Sequence, residues 1–166
     1  MTHTELLGFM RQSPYWVEAT VGPTGAAQAS VVGVVVTDEL ELFFDTLKTT
    51  RKYKNLRRDT RMAFVMWEGE CTVQYEGVAD EPRDEELARL KDLYFGQFRD
   101  GPKRERWSDI AYVRVKPTWL RFSDFRGETP RVMEMRYRQS RTSGSYRFSV
   151  PGFNPHRHGG TGDRSE

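Results

Sequence analysis

The sequence predicts a mainly β protein whose antiparallel strands close into a barrel. Many short apolar segments follow one another at close spacing, turn residues separate them, and few segments show a helical period. The chain has 166 residues and one cysteine, Cys71. These features favour one domain with a sizeable core, no internal disulfide framework and a reducing, cytoplasmic location.

The first half of the chain is predicted to form a short helix, three strands and a second helix. Thr4 can cap the first helix, which ends before Pro14. The strands are rich in β-branched and aromatic residues, and Gly, Pro or Asp marks the turns between them. They span Tyr15 to Val21, Ala27 to Val36 and Leu40 to Phe44, and a basic helix from Arg51 to Arg58 follows them.

The second half is predicted to add a hairpin, a longer helix and further strands. The hairpin joins Met62–Trp67 to Cys71–Ala79, so that the basic helix crosses over between two hairpins. Pro82 to Phe98 has the period of an amphipathic helix. The remaining predicted strands are Ala111 to Val115, Trp119 to Phe122, Arg131 to Arg138 and Ser145 to Val150. Residues 1–151 are therefore predicted to form the domain, and residues 152–166, which show no period, an irregular tail.

One stretch, Leu42 to Leu56, combines an apolar strand end, a polar turn and the start of the basic helix. The polar residues of the turn are Asp45, Thr46, Lys48, Thr49 and Thr50. Such a turn offers hydroxyls and backbone N–H groups, and Arg51 and Lys52 add two positive charges. The pattern is compatible with a phosphate pocket and also with an ordinary solvated helix face.

Composition and motifs argue against several other functions. The net charge is only +2, which gives no electrostatic case for a nucleic-acid partner. The longest apolar run, Val31 to Val36, is too short to span a membrane. His156 and His158 are the only paired histidines, and no carboxylate or cysteine cluster accompanies them, so no metal site is expected. Because no nucleophilic triad or carboxylate pair is evident, any reaction is expected to depend on a cofactor.

Six short motifs follow one another along the chain, and the most specific is T-R-K-Y-K-N-L, from Thr50 to Leu56. The other five are Ala19 to Gly25, Gln28 to Val32, Phe43 to Thr46, Asp59 to Trp67 and Val73 to Ala79, and a weaker match covers Trp119 to Pro151. Together they resemble the FMN-binding split-barrel family of pyridoxamine 5′-phosphate oxidase-like proteins. The resemblance implies an antiparallel split β-barrel with a few flanking helices. It also implies a homodimer with the flavin at the interface.

The resemblance implies roles for individual residues. In the family, a Ser/Thr-Arg-Lys motif holds the FMN phosphate, a strand backbone lies along the isoalloxazine, and a strand end lies near the ribityl chain and the phosphate. The corresponding positions here are, in that order, Thr50, Arg51 and Lys52; Ser30, Val31 and Val32; and Asp45 and Thr46. Thr72 stands where the oxidase has a flavin-contacting glutamine. Gln74 can take that role after a two-residue shift of register, which keeps the same face of the strand.

The chain departs from the true oxidase at the end that handles the substrate. The oxidase has a Trp-x-Gly segment followed by Arg-x-His where this chain has Phe125 to Met133. Arg131 stands at the arginine and is the predicted substrate-binding residue, whereas Met133 stands at the histidine. The resemblance therefore implies the flavin site but not oxidation of pyridoxamine phosphate.

Three functional hypotheses follow, and none assigns a catalytic residue. The first is an FMN-dependent oxidoreductase that transfers a hydride between a small-molecule substrate and flavin N5. The second is a protein of the same fold that binds the deazaflavin F420 or heme. The third is a flavin-binding or stress-related module without turnover.

Overall fold

The computed structural model describes residues 1–137 and shows a curled antiparallel sheet with short helices around it. The strands are β1 (Tyr15–Val21), β2 (Ala27–Gly33), β3 (Val35–Val36), β4 (Leu42–Leu47), β5 (Arg61–Glu68), β6 (Cys71–Asp80), β7 (Ile110–Asp124) and β8 (Arg131–Arg136). The helices are α1 (His3–Met10), α2 (Arg51–Leu56), α3 (Asp84–Gln97) and α4 (Gly101–Arg104). The predicted mainly β, antiparallel fold class is confirmed.

The order of the strands explains how the sheet curls into a half-barrel. The order is β2–β1–β5–β6–β7–β4–β3, and β8 pairs with the second half of β7. β2 and β3 lie at opposite ends of this order, although only Val34 separates them in the sequence. The chain therefore passes directly from one edge of the sheet to the other, which brings the two edges close together.

The predicted strand Ala27 to Val36 is wrong as a single strand, because it divides at Val34. The backbone N–H of Val34 donates to the carbonyl of Pro14 at 2.9 Å, beyond the end of the β1–β2 ladder. The next residue, Val35, pairs with Phe43 of β4. The segment thus changes partner strands without a turn.

The predicted strands Ala111 to Val115 and Trp119 to Phe122 are wrong as two strands, because they belong to one strand, β7. Pro117 lies where the ladders on both sides are interrupted. Pairing with β4 ends at Val115, pairing with β8 begins at Trp119, and the register with β6 shifts at a bulge near Gly77. A proline is tolerated at such a position because fewer regular ladder bonds depend on it.

Other predicted elements need only local changes. The predicted hairpins are present as β3–β4 and β5–β6, and α2 connects them. Thr2, not Thr4, caps α1, through a reciprocal pair of hydrogen bonds with Glu5. Between α3 and β7, where no helix was predicted, residues Gly101–Arg104 form the short helix α4. The predicted strand Ser145 to Val150, the boundary at residue 151 and the tail lie outside the described residues.

The core has two parts. The larger part fills the half-barrel, with Trp16, Phe44 and Tyr75 among its fully buried side chains. The smaller part lies between the sheet and α3 and contains Val35, Phe43, Leu90, Tyr94 and Tyr112. Because side chains alternate along a strand, the residues between the core positions of β1 face the opposite side of the sheet. Among residues 1–137, no helix is long and apolar enough to cross a membrane.

Candidate functional site

The turn between β4 and α2 brings two threonine hydroxyls together. Thr46 is buried near the end of β4, and Thr50 caps α2. The hydroxyl of Thr50 accepts a hydrogen bond from the backbone N–H of Tyr53 at 3.4 Å and donates to the carbonyl of Leu47 at 2.8 Å. The Thr46 and Thr50 hydroxyl oxygens are 3.1 Å apart. Two of the predicted cofactor-binding residues therefore lie at one point.

Arg51 and Lys52, the first two residues of α2, have different surroundings. Arg51 is exposed, and within residues 1–137 its guanidinium has no hydrogen-bond or ion-pair partner. The side chain of Lys52 is only 15% exposed, and its Nζ lies 3.5 Å from Oε1 of Glu18 on β1. Arg51 is thus available to an external anion, whereas Lys52 already has a counter-charge.

Glu18 was not among the residues predicted from the sequence. Its carboxylate is buried, and the hydroxyl of Ser30 donates to Oε1 at 2.5 Å. The other oxygen, Oε2, has no hydrogen-bond partner in the described part of the chain. One buried carboxylate therefore joins Ser30 and Lys52, which the family resemblance had assigned to different parts of the flavin site. A glutamate at an inward-facing position of an alternating strand, between Trp16 and Thr20, is the signal that could have identified it.

A neighbouring polar contact fixes α2 on the β1–β2 hairpin. Asn55 is buried, and its Nδ2 donates to Thr20 Oγ1 at 3.1 Å and to Gln28 Oε1 at 2.9 Å. Lys52 and Asn55 are three residues apart on the helix and lie on one face, as residues at that spacing do. Part of the T-R-K-Y-K-N-L motif therefore serves to dock the helix.

Asp45 adjoins Thr46 in sequence, but its carboxylate contacts other elements. Oδ1 accepts a hydrogen bond from the Tyr94 hydroxyl at 3.0 Å, and Oδ2 accepts one from Arg104 Nε at 2.7 Å. Burial, together with the charge of Asp45, raises the pKa of Tyr94 well above its usual range, which keeps this hydroxyl a donor. Successive strand residues face opposite sides, so Asp45 anchors α3 and α4 while Thr46 faces Thr50.

Val31, Thr72 and Gln74 lie on the outer face of the sheet, opposite the core. Val31 pairs with Val17 of β1, and Gln74 lies in the same row across β5. Ser30 and Val32 have the opposite orientation, because they alternate with Val31 along β2. Within one chain, the predicted cofactor residues are therefore divided between the two faces of the sheet.

Arg131 lies in a separate cavity of about 410 Å³, which no residue of the β4–α2 turn lines. Its Nη2 donates to Asp124 Oδ2 at 2.8 Å, and Arg126 donates to the same carboxylate from Nε and Nη2. The hydrogen bonds from Arg126 and Arg131 hold the pKa of Asp124 well below its usual range. Met133 lines this cavity and packs against the main core.

The two paired histidines of the sequence, His156 and His158, lie outside the described residues. Within residues 1–137, no group of three or more His, Cys, Asp or Glu side chains is arranged to hold a metal ion.

A sequence model of pyridoxamine 5′-phosphate oxidase matches residues 2–124, which include β1 to β7 and the whole β4–α2 turn. The chain belongs to the pyridoxamine 5′-phosphate oxidase-like family. The resemblance seen in its motifs is thereby confirmed. No curated protein sequence matches the chain.

Solved structures with the same fold include proteins with different ligands. A pyridoxamine 5′-phosphate oxidase-related, FMN-binding protein from Nostoc punctiforme has a TM-score of 0.64 at 12% identity, covering 90% of this chain and 94% of its own. HutZ, the heme storage protein from Vibrio cholerae, has a TM-score of 0.62 at 18% identity, covering 69% and 88%. The conserved hypothetical protein Rv2991 from Mycobacterium tuberculosis has a TM-score of 0.65 at 26% identity, covering 76% and 86%. The first two similarities show the fold alone.

Proposed function

We propose that the protein is an FMN-dependent oxidoreductase that binds the FMN phosphate at the β4–α2 turn. The proposal rests on one observation: the paired hydroxyls of Thr46 and Thr50 adjoin Arg51, whose guanidinium has no partner within residues 1–137. A phosphate monoester requires hydrogen-bond donors and positive charge at one point, and a guanidinium supplies charge-assisted bonds to its oxygens. Each threonine hydroxyl has one hydrogen, which now serves a contact within the turn and would have to rotate toward the phosphate to donate to it. The residues present therefore fit this part of FMN, and membership of the family supports the assignment.

The side chains of this protein have binding and orienting roles in the proposed reaction. Bound FMN supplies the chemistry, which is acceptance or donation of a hydride at flavin N5. Glu18 fixes the hydroxyl of Ser30 and the ammonium of Lys52 in one cluster beside the proposed phosphate site. Arg131, in its separate cavity, is the proposed contact for a small-molecule substrate.

Heme is an alternative ligand because HutZ, which shares the fold, is a heme storage protein. Heme iron needs an axial His, Cys, Met or Tyr ligand, whereas the β4–α2 turn offers the hydroxyls and cations of Thr46, Thr50 and Arg51. FMN, F420 and heme have different visible spectra, so the spectrum of the purified protein distinguishes them. An oxidised flavin that neither NADH nor NADPH reduces would favour a flavin-binding module without turnover.

Arg51→Ala is expected to weaken FMN binding by about 10- to 150-fold, because a charge-assisted contact worth about 1.5–3 kcal/mol is lost. Riboflavin, which has no phosphate, should bind the wild type much more weakly than FMN does, and Arg51→Ala should leave its affinity unchanged. Titration of flavin fluorescence measures both. The matched control is Arg57→Ala, which removes a charge next to the same helix but lies 3.7 Å from Glu81. Equal affinity of wild type and Arg51→Ala for FMN would contradict the proposal.

We also infer that the protein is a homodimer with a flavin site at the interface. The outer face of β2, β1 and β5 carries a row of valines, Val31, Val17 and Val65. On the same face Tyr15, Val31 and Trp67 are 60%, 64% and 59% exposed. Exposed apolar patches of this kind are typical of protein interfaces. A second subunit on this face would cover these exposed apolar side chains together with Gln74, which lies in the same row.

Val31→Glu is expected to convert the dimer to a monomer and to lower FMN occupancy, because a charge would be buried at the interface. Light scattering gives the mass, and the absorbance ratio of flavin to protein gives the occupancy. Ser108→Glu adds the same charge at an exposed position between α4 and β7 and should leave the dimer intact. A wild-type protein that is monomeric when loaded with flavin would rule out the dimer.

A further inference from the structure

A second, more basic cavity lies between α2 and the turn that joins β1 to β2. Its volume is about 400 Å³. The lining residues are Pro23, Gln28, Arg51, Lys54, Asn55 and Arg58. None of these residues is acidic, and only Arg51 belongs to the proposed FMN-phosphate site. The cavity therefore adjoins that site without coinciding with it.

The three cations of the cavity occupy one face of α2 and its C-terminal extension, because they are three and four residues apart in sequence. Arg51 and Lys54 have no ion-pair partner in the described part of the chain. Arg58 donates only to the carbonyl of Val21 at 3.3 Å and to Asn55 Oδ1 at 3.4 Å, which are both uncharged. The cavity thus collects three positive charges without a carboxylate in its lining, although the charge of Asp59, outside the lining, acts on Arg58.

Other cations close to this helix are compensated. Arg57 lies 3.7 Å from Glu81, and Arg61 lies 2.6 Å from Asp59. Like charges at helical spacings of three and four residues repel one another. The cluster is only partly compensated, by the interaction of Arg58 with Asp59, so it is unfavourable for the empty protein. An anion in the cavity would relieve the repulsion.

The floor of the cavity is rigidly held. Asn55 is only 4% exposed, and its amide donates to Thr20 on β1 and to Gln28 on β2. These bonds fix α2 against the hairpin before any ligand arrives. A site built in this way loses little conformational freedom on binding.

The positive charge extends further than one phosphate requires. Arg51 and Lys52 already adjoin the Thr46–Thr50 hydroxyl pair. Lys54 and Arg58 lie about 5 and 10 Å beyond Arg51 along the helix direction, at 1.5 Å per residue. That distance suits a second anionic group attached to the first.

We propose that this cavity binds a second phosphate or a carboxylate on a cofactor that extends beyond the 5′-phosphate of FMN. Arg51 lies between the two anionic groups, and Lys54 and Arg58 contact the outer one. The proposal rests on the FMN-phosphate site proposed above and extends it. The outer group can belong to the diphosphate of a flavin dinucleotide or to a carboxylate tail on a deazaflavin.

The first test uses cofactor-free protein and inorganic tripolyphosphate, with binding measured by calorimetry. Tripolyphosphate should bind more tightly than inorganic phosphate, and Lys54→Ala/Arg58→Ala should weaken it by roughly 10-fold. The matched control is Lys103→Ala/Arg106→Ala, which removes two exposed charges near α4 and should change the affinity less than about 2-fold. If both double variants lose the same amount of affinity for tripolyphosphate, binding depends only on the net charge of the protein, and the proposal is wrong.

The second test compares flavins of different length on the full chain. Lys54→Ala/Arg58→Ala should weaken binding of FAD, or of a deazaflavin with a glutamate tail, by roughly 10-fold. The same double variant should bind FMN with an affinity within about 2-fold of the wild type. The longer ligand whose affinity falls identifies whether the outer anion is a diphosphate or a carboxylate. If FMN weakens as much as the longer ligands, or if no longer ligand responds, the outer subsite does not exist. If FMN does not bind but tripolyphosphate still distinguishes the two double variants, the FMN assignment fails and the anion cavity stands.

Discussion

Pyridoxamine 5′-phosphate should be oxidised at least about 100-fold more slowly by this protein than by an oxidase with histidine at the position of Met133. Met133 packs against the main core, and its thioether offers neither an N–H donor nor a positive charge. Arg131, the remaining predicted substrate contact, is bound to Asp124 at 2.8 Å, so part of its charge is already compensated. A phosphorylated substrate therefore meets a weaker second anion site.

The measurement is formation of pyridoxal phosphate with FMN at saturation. Met133→His should raise kcat/KM for this substrate, because it restores a ring N–H next to the cavity of Arg131. Leu93→His is the control, because Leu93 is exposed on α3 and does not line this cavity. Wild-type turnover comparable to that of a histidine-containing oxidase would show that another residue supplies the missing donor.

The parts of the fold that could be predicted are those in which one face of a strand is buried. β6 alternates between buried and less buried residues along its whole length, so its period of two is visible in the sequence. The division at Val34 has no such signal. Val34, Val35 and Val36 are all buried, so an apolar run continues while the chain changes partner strands. Only contacts with distant residues, such as the carbonyl of Pro14, determine where the division falls.

Prediction of the site from the sequence also failed where contacts between distant residues determine the structure. A local motif identified the β4–α2 turn, because its hydroxyls and cations are neighbours in sequence. Glu18 could not be found in this way, since its partners Ser30 and Lys52 come from two other elements. The family resemblance placed Asp45 with the flavin residues, and nothing in the sequence indicated that its carboxylate also contacts Arg104 of α4. Which face a polar side chain occupies, and what meets it there, depends on the tertiary arrangement.

Glu18→Ala is expected to lower the free energy of unfolding by about 3 kcal/mol, because it leaves a buried cation without its counter-charge. The side chains of Glu18 and Lys52 are only 2% and 15% exposed, so water cannot readily replace the lost carboxylate. The hydroxyl of Ser30 loses its acceptor in the same variant. Urea unfolding of cofactor-free protein measures the effect. Glu81→Ala, which breaks the exposed contacts of Glu81 with Arg57 and with the Tyr53 hydroxyl, is the control and should cost no more than about 1 kcal/mol.

A double variant, Glu18→Ala/Lys52→Met, separates the unpaired charge from the lost side-chain volume. Removing both members of a buried pair is often nearly neutral, so the double variant should regain most of the stability that Glu18→Ala loses. FMN affinity should be lower in the double variant than in Glu18→Ala, because the two differ by the positive charge of Lys52. If the double variant is as unstable as Glu18→Ala, the cost comes from the cavity left by the glutamate rather than from Lys52. If Glu18→Ala costs no more than Glu81→Ala, the carboxylate is not what holds Lys52 in place.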